Sequence, residues 1–174
     1  MAFCYNDCMI ESDRLLLLPV DVPMIDSLIE SNDAFYQRYG YINDAGEFLI
    51  PSLDFLLKIK NEIIDHPEYY PLAVDHLIIL KESKTVIGSI DFKMIPKDGI
   101  TEIGYGMSPQ YEGNGYMSEA VKMMLDYGVS QGIKQVNADT LIDNVKSQNV
   151  LKRNGFSFVR KDDCLFYFSK VLLS

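Results

Sequence analysis

The stretch that decides the fold is IGYGMSPQYEGNGYMSEA, residues 103–120. Its pattern predicts a strand, a short turn, a glycine-rich loop and then the start of a helix. Gly113 and Gly115 carry no Cβ, so the backbone N–H groups beside them can approach an anion closely. The start of a helix adds unpaired N–H donors and the positive end of the helix dipole. The stretch therefore predicts a diphosphate site built mainly from main-chain groups.

The spacing of this loop separates it from other phosphate-binding loops. It lacks the pattern Gly-x-x-x-x-Gly-Lys-Ser/Thr, which excludes the P-loop of nucleoside triphosphatases. A dinucleotide-binding loop has Gly-x-Gly-x-x-Gly, but counting from Gly113 the third glycine position holds Ser118. A nicotinamide site and a glycine turn without any ligand remain as the alternatives.

The segments around this stretch alternate between strand and helix patterns. Strands are predicted at residues 14–20, 72–81, 85–95, 101–107, 135–142, 156–159 and 165–171, and helices at residues 22–29, 52–66, 113–131 and 145–154. The tyrosine-rich residues 36–46 are predicted as a loop. Short turns join the second, third and fourth strands, and parallel neighbours need a long crossover, so these strands are expected to be antiparallel.

These elements predict the fold class. We expect one domain over residues 1–174, of the α/β (α+β) class. Its sheet is expected to be mixed and mostly antiparallel, with six to seven strands flanked by about four helices. Gly104 and Gly106 lie within the fourth strand, which indicates a bulge or the close approach of a ligand. A bulge would splay the fourth strand from the fifth and leave a cleft; a plain edge irregularity is the alternative.

Composition and charge restrict the function. The chain has 174 residues, of which 48% are hydrophobic, and this suffices for a packed core. A formal net charge of −9 repels phosphate backbones, so no nucleic acid is expected as a partner, whereas a cationic amine is tolerated. No apolar run approaches the roughly 20 residues of a membrane-spanning helix. No secretory leader pattern opens the chain.

The cysteines and histidines predict neither disulfides nor a metal. Cys4, Cys8 and Cys164 are an odd count and form no disulfide pattern. His66 and His76 are the only histidines and are not spaced as a ligand pair, so no metal is expected. Reduced thiols are typical of the cytoplasm, which is the expected location.

Four segments in order resemble the GNAT superfamily of N-acetyltransferases. The acetyl-CoA motif of that family is similar to Gln110-x-x-Gly113-x-Gly115. Residues 12–17 (SDRLLL) resemble the opening strand of the RimJ/RimL-like branch, and residues 87–90 (IGSI) resemble its Ile-Gly strand. Residues 144–156 (NVKSQNVLKRNGF) resemble its Asn-x-x-Ser…Gly-Phe helix and following strand. The resemblance covers nearly the whole chain. It is interrupted at Leu18, where that branch often has a basic residue, and over residues 40–71.

The resemblance implies a cofactor and a reaction. The cofactor is acetyl-CoA, and the reaction is acetyl transfer to a primary amine. A protein N-terminal α-amine is the expected acceptor, and a small-molecule amine is the alternative. A non-catalytic module that binds acyl-CoA as a sensor is the alternative, and a monomer or homodimer is expected. The implied diphosphate contacts come from backbone groups of Gln110, Gly113, Asn114, Gly115 and Tyr116.

Further contacts with the cofactor follow from the same resemblance. The main chain of Gly106 and Met107 is expected to hold the pantetheine arm, which would dock like an added strand. Asn144 is expected to contact the pantetheine or to hold the splayed strand; its plain alternative is a helix cap. The backbone N–H of Met107 is also the expected donor to the oxyanion.

Two residues are implied for catalysis. Glu102 matches the position where histone-acetylating relatives carry a general base, and Ser147 matches a proton donor to the leaving thiolate or a cofactor contact. A surface carboxylate and a first-turn serine are the alternatives. The acceptor pocket is expected from the tyrosines of residues 36–41 and 69–70 with nearby acidic residues, Glu47, Asp65 and Glu68, unless these only pack and face solvent.

Overall fold

The computed structural model describes residues 9–44, 52–72, 74–93 and 96–172. Within these ranges lie nine strands: β1 Ile10–Glu11, β2 Leu15–Pro19, β3 Ile42–Asn43, β4 His76–Leu80, β5 Thr85–Phe92, β6 Ile100–Met107, β7 Gln135–Leu141, β8 Ser157–Lys161 and β9 Leu165–Val171. The same ranges hold five α-helices: α1 Val22–Glu30, α2 Asn32–Tyr39, α3 Leu53–Asp65, α4 Tyr116–Ser130 and α5 Val145–Arg153. None of them is long and apolar enough to cross a membrane.

The strands form one mixed sheet. Their order is β1-β2-β4-β5-β6-β7-β9-β8, and β3 pairs with the start of β5. Neighbours are antiparallel except in the pairs β6–β7 and β3–β5, which are parallel. The predicted mixed, mostly antiparallel sheet is confirmed, and each of the seven predicted strands is present. The additional strands β1 and β3 have 2 residues each, too few for a sequence pattern.

The sheet divides between β6 and β7. These strands pair only at Ile100↔Gln135, Thr101↔Val136 and Glu102↔Asn137. Beyond that point β6 stays paired with β5, and β7 stays paired with β9. We call the place where β6 and β7 diverge, just after Glu102, the fork. The predicted splay between the fourth and fifth long strands is confirmed.

The glycines of β6 do not form the predicted bulge. The β5–β6 register runs without a shift from Phe92↔Ile103 to Gly88↔Met107, and the shift in this part of the sheet lies between β4 and β5. The expectation of a bulge at Gly104 and Gly106 is therefore wrong. Gly104 on β6 and Gly88 on β5 instead allow close packing. A Cβ on Gly104 would lie 2.7 Å from Oδ1 of Asp91, and one on Gly88 would lie 2.4 Å from the carbonyl oxygen of Gly106.

Each face of the sheet carries its own core because side chains alternate along a strand. One core joins the sheet to the apolar side of α4, including the predicted positions Ala120, Val121, Met124 and Leu125. The other core joins the opposite face of β2, β4 and β5 to α1, α2 and α3. Helix α4 therefore covers one face of the sheet, and helices α1, α2 and α3 cover part of the other.

Helix α2 corrects the prediction of a loop at residues 36–46 over residues 36–39, and residues 45–46 lie outside the described residues. Ser31 caps the helix by accepting a hydrogen bond from the backbone N–H of Ala34 (3.0 Å), and Gly40 ends it in the left-handed conformation (φ 72°). Its tyrosines had indicated a loop, but Phe35 is fully buried and its ring packs edge-on against Tyr36. The helices therefore number five in the described residues, against about four predicted.

Candidate functional site

A groove of about 790 Å³ opens beside the fork. It lies between the end of β6, the loop that follows and the first turns of α4 and α5. Its volume is in the range of small-molecule sites. Its lining residues are Tyr105, Gly106, Met107, Pro109, Tyr111, Glu112, Gly113, Gly115, Tyr116, Met117, Ser118, Asn144, Lys146, Ser147, Asn149, Val150 and Arg153.

The loop between β6 and α4 leaves a row of backbone N–H groups without acceptors in the described residues. Gly113 (φ 82°) and Gly115 (φ 80°) both adopt the left-handed conformation, which other residues rarely enter. Gly115 is the N-cap of α4, and no side chain caps the helix there. In the described parts of the chain, the backbone N–H groups of residues 113–118 donate to no protein acceptor. Unpaired amides at a helix start fit the diphosphate of a coenzyme.

A cluster behind the loop holds it against the sheet. Nε of Arg14 donates to Oε2 of Glu119 at 2.9 Å, and Nη1 donates to the carbonyl oxygen of Asn114 at 3.3 Å. The guanidinium also lies 4.7 Å from the ring centroid of Tyr116. Ser12 adds a hydrogen bond to Oε1 of Glu119 at 2.7 Å. Sequence reasoning missed this cluster because its members come from two segments about one hundred residues apart, and no member is unusual in its own segment.

Two predicted cofactor residues do not line the groove. The Gln110 side chain donates to the carbonyl oxygen of Asp44, and the Tyr111 hydroxyl donates to the carboxylate of Asp44 at 2.6 Å. That hydrogen bond raises the pKa of Tyr111 to about 12. The Asn114 side chain folds back onto the carbonyl oxygens of Tyr111 (3.1 Å) and Glu112 (3.2 Å). Both side chains therefore brace the loop, and the prediction for Gln110 and Asn114 concerned their backbone groups.

The other wall of the groove is the first turn of α5. Oδ1 of Asn144 accepts a hydrogen bond from the backbone N–H of Ser147 (3.0 Å), so Asn144 caps this helix while it lines the groove. The hydroxyls of Ser147 and Tyr105 lie 2.9 Å apart. Burial raises the pKa of Tyr105 above its ordinary value, which keeps that hydroxyl protonated. Tyr105 is a groove residue that the sequence reasoning did not single out.

Glu102 lies at the fork but not in the groove. It is the last residue of β6 that pairs with β7. Its carboxylate accepts a hydrogen bond from the ammonium of Lys93 at 2.7 Å, and the same ammonium reaches Asp139 on β7 at 2.8 Å. Lys93 therefore bridges the two diverging strands. The hydrogen bond from Lys93 lowers the pKa of Asp139, although burial acts in the opposite direction.

Two further carboxylates lie near this bridge. Burial raises the pKa of Asp75 to about 6. Burial, and then the negative charges of Asp75 and Glu102, raise the pKa of Asp91 to about 7, while Lys93 acts against this. We call Asp75, Asp91, Glu102, Asp139 and Lys93 together the acidic face. The sequence gives no local signal for it because its members come from four separate segments.

The residues predicted to line an acceptor pocket differ in their burial. Tyr36 is buried in the α1–α3 core, and burial raises its pKa, so this tyrosine packs rather than lines a pocket. Asp65 and Glu68 are exposed. Glu47 and the side chain of Tyr69 lie outside the residues described. No group of three or more metal-ligating side chains occurs among the described residues.

Comparisons with known proteins agree with this geometry. A family model described as acetyltransferase (GNAT) domain matches residues 14–157. An uncharacterized N-acetyltransferase of Bacillus subtilis, YjdG, is 26% identical over 152 residues, which cover 85% of this chain and 89% of that protein. The ribosomal-protein-serine acetyltransferase of Escherichia coli is 32% identical over 81 residues, 45% of each chain.

A solved structure shares the fold. It is the ribosomal L7/L12 α-N-protein acetyltransferase RimL in complex with coenzyme A. Its TM-score is 0.69 at 19% sequence identity, with 94% of this chain and 98% of that chain covered. At this identity the likeness shows the fold.

Proposed function

This chain belongs to the GNAT family of acetyltransferases, and from that membership we propose that it acetylates the α-amine of a protein N-terminus. The enzyme is an acetyl-CoA-dependent N-acetyltransferase. The observation that carries the proposal is the row of unpaired backbone amides at residues 113–118, at the head of a groove that begins at the fork. An activated acyl group and a cationic acceptor could meet there from opposite faces of the sheet.

The cofactor contacts in this proposal are mostly main-chain groups. Backbone N–H groups within residues 110–116, from Gln110 through Gly113, Asn114 and Gly115 to Tyr116, would hold the diphosphate. The main chain of Gly106 and Met107 borders the groove where β6 has lost β7 as a neighbour, which supports its role towards the pantetheine arm. Asn144 would contribute by fixing the start of α5 beside the same groove.

Bound acetyl-CoA supplies an activated thioester. In this proposal Ser147 holds a proton for the departing sulfur, and its partner is the Tyr105 hydroxyl at 2.9 Å. Because burial keeps Tyr105 protonated, it can restore a proton that Ser147 donates. Glu102, the sequence-based prediction for the general base, takes part as a carboxylate at the fork that holds Lys93.

The negative charge of the chain and its similarity to two acetyltransferases both support an N-terminal acceptor. The acidic face attracts a cationic amine, and the chain as a whole carries −9. An α-amine has a pKa of about 7.7–8.0, against about 10.4 for lysine, so less help is needed to remove its proton. Two proteins similar to this chain are named for acetylating ribosomal proteins. The exposed free thiol of Cys164 is in keeping with a cytoplasmic location.

An acceptor screen tests the proposal. The purified protein is incubated with acetyl-CoA and peptides that begin with serine or alanine, and free thiol is measured. We expect thiol release that disappears when the peptide N-terminus is blocked, and mass spectrometry should place the acetyl group on the α-nitrogen. Acetylation of lysine side chains or small amines alone would contradict the proposal. Binding of acetyl-CoA without any thiol release would favour the sensor instead.

A further inference from the structure

The acidic face places three carboxylates around a glycine at the fork. Asp91 on β5 is the register partner of Gly104 on β6. Asp139 on β7 lies two residues beyond Asn137, the partner of Glu102, so it is level with Gly104 across the fork. Side chains two residues apart on a strand share a face, which places Glu102 and Gly104 on the face opposite Ile103.

Gly104 leaves the space that these side chains occupy. A Cβ at this position would lie 2.7 Å from Oδ1 of Asp91 and 2.9 Å from Cε of Lys93. Any other residue would push both groups away from the fork. The glycine is therefore required for the carboxylate of Asp91 to sit over the strand that borders the groove.

Asp91 differs from its two neighbours in having no partner among the described residues. Glu102 and Asp139 both accept hydrogen bonds from Lys93, at 2.7 and 2.8 Å. Within the described part of the chain, the carboxylate of Asp91 accepts no hydrogen bond and forms no ion pair. Its side chain is only partly exposed. A partly buried carboxylate at the fork that has no partner among the described residues is available to an incoming cation.

We propose that the carboxylate of Asp91, rather than that of Glu102, accepts the proton of the attacking ammonium. The inference deepens the proposed function and rests on it. The electrostatics support it, because a base works best when its pKa is near the working pH and Asp91 is raised to about 7. The groups that set this value are Asp75 before β4, Lys93 after β5 and Glu102 on β6. Asp139 on β7 faces the same space and shares Lys93.

The step balances as follows. The acceptor R–NH₃⁺ gives one proton to the Asp91 carboxylate, and the freed lone pair of R–NH₂ forms the C–N bond at the thioester carbonyl. The C–S bond breaks as the nitrogen loses its second proton, and the sulfur leaves as a thiol. Asp91 then releases its proton to solvent, so the net products are the amide, the free thiol and one proton.

Paired variants test the assignment. The Asp91→Asn change removes the base with little change in shape, and Asp75→Asn makes the same change one strand further from the fork. The third variant, Glu102→Gln, removes the competing carboxylate. Each is assayed for kcat/KM from pH 6 to pH 9 with one peptide acceptor, and acetyl-CoA affinity is measured as a check on the folded groove. Should Asp91→Asn fold poorly, Asp91→Ser replaces it.

The expected result is specific to a base. In the wild type, kcat/KM should fall at low pH as a group with a pKa near 7 becomes protonated, and we call this part of the pH profile the acidic limb. Asp91→Asn should lower kcat/KM by about 100-fold at pH 7. The loss should shrink at pH 9, because the limb moves to the pKa of the α-amine, about 8, where solvent removes the proton. Asp75→Asn and Glu102→Gln should keep an acidic limb but move it to lower pH, because each change removes a negative charge that raises the pKa of Asp91. Acetyl-CoA affinity should stay unchanged in all three.

Other outcomes overturn the inference and separate it from the proposed function. Loss of the limb in Glu102→Gln with its retention in Asp91→Asn would return the base to Glu102. Equal effects in Asp75→Asn and Asp91→Asn would show a general charge effect instead of a base. If the wild type acetylates only a different amine, the proposed function fails. The same limb comparison on that amine would still decide the role of Asp91.

Discussion

The two sides of the fork are built in different ways. The cofactor groove is built mainly from two continuous segments, the main chain of residues 106–116 and the first turn of α5 at residues 144–147. The acidic face uses side chains from four separate segments, which meet only because the strands lie in a particular order. The first kind of site depends on local backbone conformation. The second depends on long-range pairing, and it buries charge.

The largest expected effect is on the free energy of unfolding, and it comes from burying the charge of Asp91. The pKa of Asp91 rises from 3.8 to about 7 on folding, so the folded state holds this proton more tightly than the unfolded chain. Stability therefore falls as pH rises from about 4 to 7, and the full cost, about 4 kcal/mol, is present above pH 7. We expect Asp91→Asn to unfold at higher urea concentration than the wild type at pH 8, and at the same concentration near pH 4.

The exposed Asp162 is the matched control for this prediction. A hydrogen bond from the Tyr167 hydroxyl (2.7 Å) and two from backbone N–H groups lower the pKa of Asp162 to about 2. Its contribution is present above its unfolded value of 3.8 and is lost as pH falls towards 2, so Asp162→Asn should destabilise at pH 8. Stabilisation by both variants, or by neither, would contradict the contrast drawn between the sites.

The same contrast explains what could be predicted from the sequence. The loop at Gly113 and Gly115 carries a local signal, because positive φ and a helix start need particular residues in a row. The fork was predicted correctly but for a wrong reason, a bulge. The sequence shows that Gly104 lacks a side chain, but it does not show that Asp91 fills the space. Asp91 and Lys93 gave no signal, because their neighbours come from other strands.

The next effect concerns the hydroxyl pair of the groove. Ser147→Ala removes the hydrogen bond to Tyr105 and the proposed proton donor, so kcat should fall by about 100-fold while the KM for acetyl-CoA stays nearly constant. Tyr105→Phe should reproduce part of this loss. The control Ser130→Ala removes a serine hydroxyl at the far end of α4 and should leave kcat unchanged. A raised KM with normal kcat would make Ser147 a binding residue only.

A pair of glycines separates backbone strain from ligand binding. Gly113 and Gly132 have φ of 82° and 81°, and a Cβ on either would meet no atom within 4 Å. Changing either to alanine should therefore cost about 1–2 kcal/mol of stability. Only Gly113→Ala alters the loop with the unpaired amides, so it alone should weaken acetyl-CoA binding, by about tenfold in a calorimetric titration. Equal affinities in the two variants would show that the loop does not hold the coenzyme.

The smallest effect tests how far the loop with the unpaired amides depends on a supporting side chain. Arg14 contacts Glu119, the Asn114 carbonyl oxygen and the Tyr116 ring, but its side chain is 49% exposed. Exposed ion pairs contribute about 1 kcal/mol or less, so Arg14→Met should weaken acetyl-CoA binding by only about threefold.

Arg160 gives the control for this last change. It is 58% exposed and lies 3.4 Å from the ring centroid of Tyr167, so Arg160→Met removes a comparable cation–ring contact at the far edge of the sheet. Coenzyme affinity should not change in this variant. If Arg14→Met reduced affinity far more than threefold, the loop would depend on its side-chain support. The distinction between a main-chain site and a side-chain site would then hold only for the acidic face.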